Sequence, residues 1–121
     1  MSNALGSRGV LHQNESLRSA DGTHQLLLQG DGNLVVLRNG QPVWNAWTST
    51  QWKFPGQQIP ASHLTMEPDG NLVLYNADGP LWESDTHHEE ESDRYSLLLQ
   101  DDGTFEIQEL GSSLWEQAVG Q

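Results

Sequence analysis

Three times in these 121 residues an Asp-Gly pair is followed by an apolar run and, 13 residues after the Asp, by a tryptophan. The pairs are Asp31-Gly32, Asp69-Gly70 and Asp102-Gly103; the tryptophans are Trp44, Trp82 and Trp115. Gln29, Glu67 or Gln100 lies two residues before each Asp, and Val43, Leu81 or Leu114 just before each Trp. Four features kept in register three times make the chain an internal triplication. Its fold must therefore be built from three equivalent units, whatever individual propensities say.

The units span 26–44, 64–82 and 97–115. In the first, Leu26 to Leu28 leads into Asp31-Gly32, then Leu34 to Leu37, Asn39-Gly40 and Val43-Trp44. Asp-Gly and Asn-Gly between apolar runs are strong hairpin signals, because the turn needs positive φ. The pattern predicts strand, turn, strand, turn, strand. No segment carries a helical period, so the chain is all-β.

Alternation assigns the faces. Leu34 and Val36 point one way, and their counterparts Leu72, Leu74, Phe105 and Ile107 are also apolar; this is the core face. The other face carries Asn33, Val35 and Leu37, then Asn71, Val73 and Tyr75, then Thr104, Glu106 and Gln108. It is mixed in two units and wholly polar in the third, which marks it as a candidate site. The three repeated tryptophans are suited to filling the common axis of three sheets, since each buries a large area. Trp47 and Trp52 lie outside the repeat, in the longer connection 45–63, and are better placed for sugar stacking; packing is their plainer role.

With 17 acids against 5 bases the net charge is −12, which disfavours nucleic acid and anionic lipid. No apolar run is long enough to span a bilayer. The absence of cysteine excludes disulfides, thiol nucleophiles and thiolate metal sites. An apolar fraction of 35% and a mean hydropathy of −0.61 are lean, but one domain over 10–118 can still build a core. Met1-Ser2-Asn3-Ala4 reads as a tag remnant, so 1–9 is set apart as an N-terminal segment. That leaves a leader removed upstream, and with it secretion or contact at a cell surface, as an open alternative.

The first unit's outward face reads Gln29-x-Asp31-x-Asn33-x-Val35-x-Leu37, and the second Glu67-x-Asp69-x-Asn71-x-Val73-x-Tyr75. This resembles the Q-x-D-x-N-x-V-x-Y signature of the monocot mannose-binding (bulb-type, snowdrop-like) lectins, and the likeness extends over roughly the whole domain. The resemblance implies a β-prism II fold: three four-stranded antiparallel sheets with pseudo-threefold symmetry and a central Trp cluster. It also implies one shallow mannose pocket per sheet, with no metal or other cofactor. In bacteria the same family includes lectin-like bacteriocins, and a cysteine-free chain is compatible with such a member.

The chemistry agrees with that implication. A carboxylate accepts charge-assisted hydrogen bonds, and amides both donate and accept. A spacing of two aims them to one side of the strand. The departures rank the sites. Leu37 replaces Tyr and loses one hydroxyl, worth about 1 kcal/mol. Glu67 replaces Gln, removing donors and adding a carboxylate near Asp69 that could cost more. The third unit, Gln100-x-Asp102-x-Thr104-x-Glu106-x-Gln108, puts a charge where a sugar ring should pack, and is expected to be silent. The expected carbohydrate-binding set is therefore Gln29, Asp31, Asn33, Val35 and Leu37 with Glu67, Asp69, Asn71, Val73 and Tyr75. The plainer reading of these residues is that they serve the tight turns.

His87-His88-Glu89-Glu90-Glu91 offers metal-ligand types, but reads as a solvated acidic loop. Glu67 and Asp69 are paired carboxylates without sign of a walled cleft, so catalysis is not expected. Two functions remain. One is a metal-independent lectin module for mannose-type glycans, gaining avidity in a homodimer or a larger chain. The other is a protein-interaction or structural module that kept the prism and lost the sugar.

Overall fold

Each repeat folds as a meander because its turns leave the backbone little choice. In the three Asp-Gly pairs that open the repeated turns, the Gly has φ near +90°: +88° at Gly32 and +90° at Gly70 and Gly103. The computed structural model describes residues 3–46, 60–89, 91–110, 112–117 and 119. The strands, in chain order, are β1 Ala4–Gly6, β2 Val10–His12, β3 Ser16–Arg18, β4 His24–Leu28, β5 Leu34–Arg38 and β6 Gln41–Asn45. They continue as β7 His63–Met66, β8 Leu72–Asn76, β9 Gly79–Glu83, β10 Tyr95–Leu99, β11 Phe105–Glu109 and β12 Ser112–Gln117. No helix occurs among the described residues.

The strands form three four-stranded antiparallel sheets, ordered β3-β4-β5-β6, β2-β7-β8-β9 and β1-β10-β11-β12. This is the β-prism II arrangement. The second and third strands of each meander slip register at one equivalent place: Val36/Leu37, Leu74/Tyr75 and Ile107/Gln108. The triplication thus extends to the bulges.

The fourth strand of every sheet comes from the N-terminal stretch, which threads the sheets in reverse order. Ala4 pairs with Leu98, Leu11 with Leu64 and Leu17 with Leu26. Tight turns separate these short strands, with Gly9 N donating to Gly6 O and Glu15 N to His12 O. Within the 1–9 stretch, β1 supplies backbone partners along one edge of β10 and Leu5 packs on the core.

The inward residues are buried as alternation requires. Leu34, Val36, Leu72, Leu74, Phe105 and Ile107 are fully buried, together with Leu26, Leu28, Leu64, Met66, Leu97 and Leu99. Each such side chain contributes about 1.5–3 kcal/mol by leaving water. At the axis, Trp44 meets Trp82 edge-on at 6.4 Å and Trp82 meets Trp115 at 6.3 Å. Phe105 lies between the other pair, 5.1 Å from Trp44 and 5.9 Å from Trp115. Trp47 and Trp52 lie outside the described residues.

The repeats lock together through their turns. A Cβ on Gly103 would fall 2.5 Å from the His24 ring, and one on Gly32 would fall 2.5 Å from Ala61 N. Between the third repeat and the first, Asp21 N donates to Asp101 Oδ1 at 3.0 Å. The Asp21 carboxylate accepts from Thr23 N, Thr23 Oγ1 and Ser19 Oγ, which holds its pKa down at about 2.

Candidate functional site

The three Asp side chains have one local task in common. Asp31 Oδ1 accepts the Asn33 amide at 2.9 Å, Asp69 Oδ1 the Asn71 amide at 3.0 Å, and Asp102 Oδ1 the Thr104 amide at 2.9 Å. The backbone closes each turn identically: Gly32 N donates to Gln29 O, Gly70 N to Glu67 O and Gly103 N to Gln100 O. One carboxylate oxygen of every Asp is therefore committed to the turn.

From there the motif side chains climb the middle strand of each meander. In the first repeat Gln29, Asn33 and Leu37 are half-buried, Asp31 is exposed and Val35 is buried. Leu37 stands between its cross-strand neighbours Gln25 and Pro42. In the second repeat Glu67, Asp69 and Tyr75 are half-buried, while Asn71 and Val73 are only 6% and 3% exposed. The outward face is thus less open than alternation alone suggested. The reason is position: Val35 and Val73 lie on middle strands, flanked by Leu27 and Asn45 and by Thr65 and Glu83.

The second repeat has the more elaborate network. Asn71 Nδ2 donates to Glu83 Oε1 at 3.3 Å, and its Oδ1 accepts from Ser84 Oγ at 3.1 Å and Thr86 N at 3.2 Å. The segment after β9 covers the Asp-Gly turn. Thr86 Oγ1 donates to Gly70 O at 2.7 Å and His88 N to Asp69 O at 2.7 Å. The added carboxylate of Glu67 has a partner, because the Tyr75 hydroxyl donates to its Oε2. That bond, helped by burial and by the charges of Glu67, Asp69 and Glu83, pushes the Tyr75 phenol up to about 12. Tyr75 also stacks on His63, its cross-strand neighbour, at 5.1 Å.

Beside this motif lies an open depression of about 380 Å³, lined by Glu67, Pro68, Asp69, His88, Glu89 and Glu91. His88 stacks on Tyr95 at 5.2 Å, so the acidic stretch is anchored at one point. His87 stands instead with Glu83 and Asp85, in an exposed group whose ligand-type atoms lie within 4.8 Å of one another. Glu90 lies outside the described residues.

In the third repeat the outward face closes on itself. Glu106, 5% exposed, takes the place of Val35 and Val73 and accepts from Gln108 Nε2 at 2.5 Å. A carboxylate and an amide fill the position where the other repeats present a methyl-bearing side chain.

Around the second motif the structure also brings His63, Glu83, Ser84 and Thr86, which the sequence reading did not place there, and His88, which it read as part of a solvated acidic loop. Glu83 and His63 could have been found as cross-strand neighbours once the register was fixed. Nothing in the sequence signalled that Thr86 and His88 would reach the Asp-Gly turn, since the path of a connection is not periodic.

A scan of family models and a search of curated proteins each return no match. Solved structures do match. A monomeric monocot mannose-binding lectin from Gastrodia elata is 30% identical, with TM-score 0.77, over 95% of this chain and 94% of that one. The mannose-specific snowdrop (Galanthus nivalis) agglutinin, solved with methyl-α-D-mannoside, is 30% identical, with TM-score 0.71, over 94% of each chain. A Polygonatum cyrtonema lectin, solved with monomannoside, is 30% identical, with TM-score 0.69, over 93% of each chain.

Proposed function

This chain belongs to the monocot mannose-binding (bulb-type) lectin family, and from that premise we propose that it is a non-enzymatic, metal-independent module that binds mannose-type glycans. Two shallow sites do the binding. The first consists of Gln29, Asp31, Asn33, Val35 and Leu37, the second of Glu67, Asp69, Asn71, Val73 and Tyr75. The observation that carries the reading is that both motifs occupy equivalent register positions on their hairpins, beginning at the same Asp-Gly turn. Such a row offers carboxylate and amide groups to sugar hydroxyls and a Val to the ring carbons. The third repeat takes no part, because Glu106 and Gln108 are spent on one another.

Single shallow sites of this kind bind on the order of millimolar, so avidity comes from pairing sites in one chain, in a homodimer or in a larger protein. A second reading, a prism retained for protein contacts, draws support from Asn71, whose amide and carbonyl both have protein partners. Titration calorimetry with methyl-α-mannoside and an oligomannose separates the two. Heat at millimolar sugar, reduced in part by Asn33→Ala and by Asn71→Ala, is the lectin result. A folded protein giving no heat leaves only the second reading. Sugar bound beside Asp102 would overturn the silence of the third repeat.

A further inference from the structure

The two proposed sites differ in what they can offer a ligand. Gln29 supplies both amide donors and an acceptor, whereas Glu67 supplies acceptors alone. In the second site the one hydroxyl of the motif already gives its proton to Glu67. One amide proton of Asn71 is directed to Glu83, and the Asn71 oxygen takes two donors from Ser84 and Thr86. Asp69 accepts only. What the second site presents outward is therefore mostly lone pairs and negative charge.

A neutral hexose hydroxyl can donate to such a surface, but it finds few protons to accept in return. A protonated amine has the complementary pattern: three donors, no acceptor and a positive charge. Glu67 and Asp69 line the same open depression, and Glu89 and Glu91 add two more carboxylates to its rim. The protein's net charge of −12 adds a long-range field of the same sign. The first site has no counterpart to Glu67, so one chain holds two sites of different polarity.

We propose that the second site, built around Glu67, Asp69 and Tyr75, selects cationic amino sugars over neutral mannose, while the first retains the neutral preference. The inference rests on the carbohydrate reading above: the site is placed by its motif, not by its acidity. Glu67 is the residue that sets the preference, because it alone converts a donor into a charged acceptor at an otherwise matching motif. Tyr75 orients Glu67 through its hydroxyl and leaves that hydroxyl's own lone pairs to the ligand.

The test is a titration of the isotope-labelled full chain at pH 7 and low salt, following the backbone amides of Gly70 and Gly32 as separate reporters. Three ligands are compared: methyl-α-mannoside, its 2-amino-2-deoxy analogue, which is mainly an ammonium at that pH, and the neutral N-acetylated form. Gly70 is expected to respond to the amine at about fivefold lower concentration than to methyl-α-mannoside, an advantage that shrinks at high salt. Gly32 is expected to show no such preference. Glu67→Gln, of nearly the same size, is expected to bring Gly70 back to the neutral sugar. If Gly70 prefers the neutral ligand in the parent chain, or if Glu67→Gln leaves an amine preference intact, the inference falls. If Gly32 responds to methyl-α-mannoside while Gly70 ignores the amine, the inference falls and the lectin reading survives. If neither amide moves with any of the three sugars, both fall together.

Discussion

Asp69 and Asp102 occupy equivalent places and perform the same backbone task, each accepting the amide two residues on, at 3.0 and 2.9 Å. Around them the second and third repeats diverge. The second keeps Asn71, Val73 and Tyr75 on its outward face; the third has Thr104, the buried Glu106 and Gln108. The inward faces remain interchangeable, Leu72 and Leu74 against Phe105 and Ile107, all fully buried. The contrast separates two reasons for keeping a residue. An Asp required by a turn persists whether or not anything binds beside it. The informative positions are those the backbone does not need.

The largest expected effect probes the sameness of the cores. Leu72→Ala and Phe105→Ala should each destabilise the fold, by about 2–5 and about 3–5 kcal/mol respectively, read from urea unfolding. A cost under about 1 kcal/mol at either would mean that the repeats are not equivalent inside. A smaller effect probes the shared turn. Asp69→Ala and Asp102→Ala should each cost about 1 kcal/mol of stability. Only the first should weaken sugar binding in calorimetry; equal losses of binding would erase the distinction between the two repeats.

The smallest effect concerns Tyr75, which the third repeat replaces with Gln108. Its phenol lies near 12, against an ordinary value of 10.0, because the neutral form donates to Glu67. The folded state therefore holds this proton more tightly than the unfolded chain. Stabilisation from that bond is complete below about pH 10 and is lost as pH rises through about 12. An ultraviolet titration should show Tyr75 ionising late, and Glu67→Gln should bring it back toward the ordinary value. An unchanged Tyr75 transition in that variant would detach Glu67 from the hydroxyl.

Much of this was legible in the sequence because it is local. Turn chemistry marked the hairpins, and alternation separated Leu34 and Val36 from Val35 and Leu37. Depth was not legible. Val73 and Glu106 alternate like surface residues, yet lie on middle strands with neighbours on both sides. The Tyr75–Glu67 bond depends on side-chain conformation, which no spacing encodes. The N-terminal strands, at three residues each, are too short for alternation to register. A signal existed all the same: Leu5, Leu11 and Leu17 recur every six residues, one at the centre of each short strand.

That N-terminal thread sets the copy number of the repeat. In a solenoid each unit contacts only its neighbours, so units can be gained or lost at little cost. Here β1, β2 and β3 are distributed one to a sheet, and β1 meets a partner about 90 residues further along. Deleting a repeat would orphan one of these strands; adding a fourth would leave a sheet with no strand to complete it. During synthesis the same arrangement makes β1 wait until β10 has emerged. Closure of the prism is thereby a late, long-range event in folding.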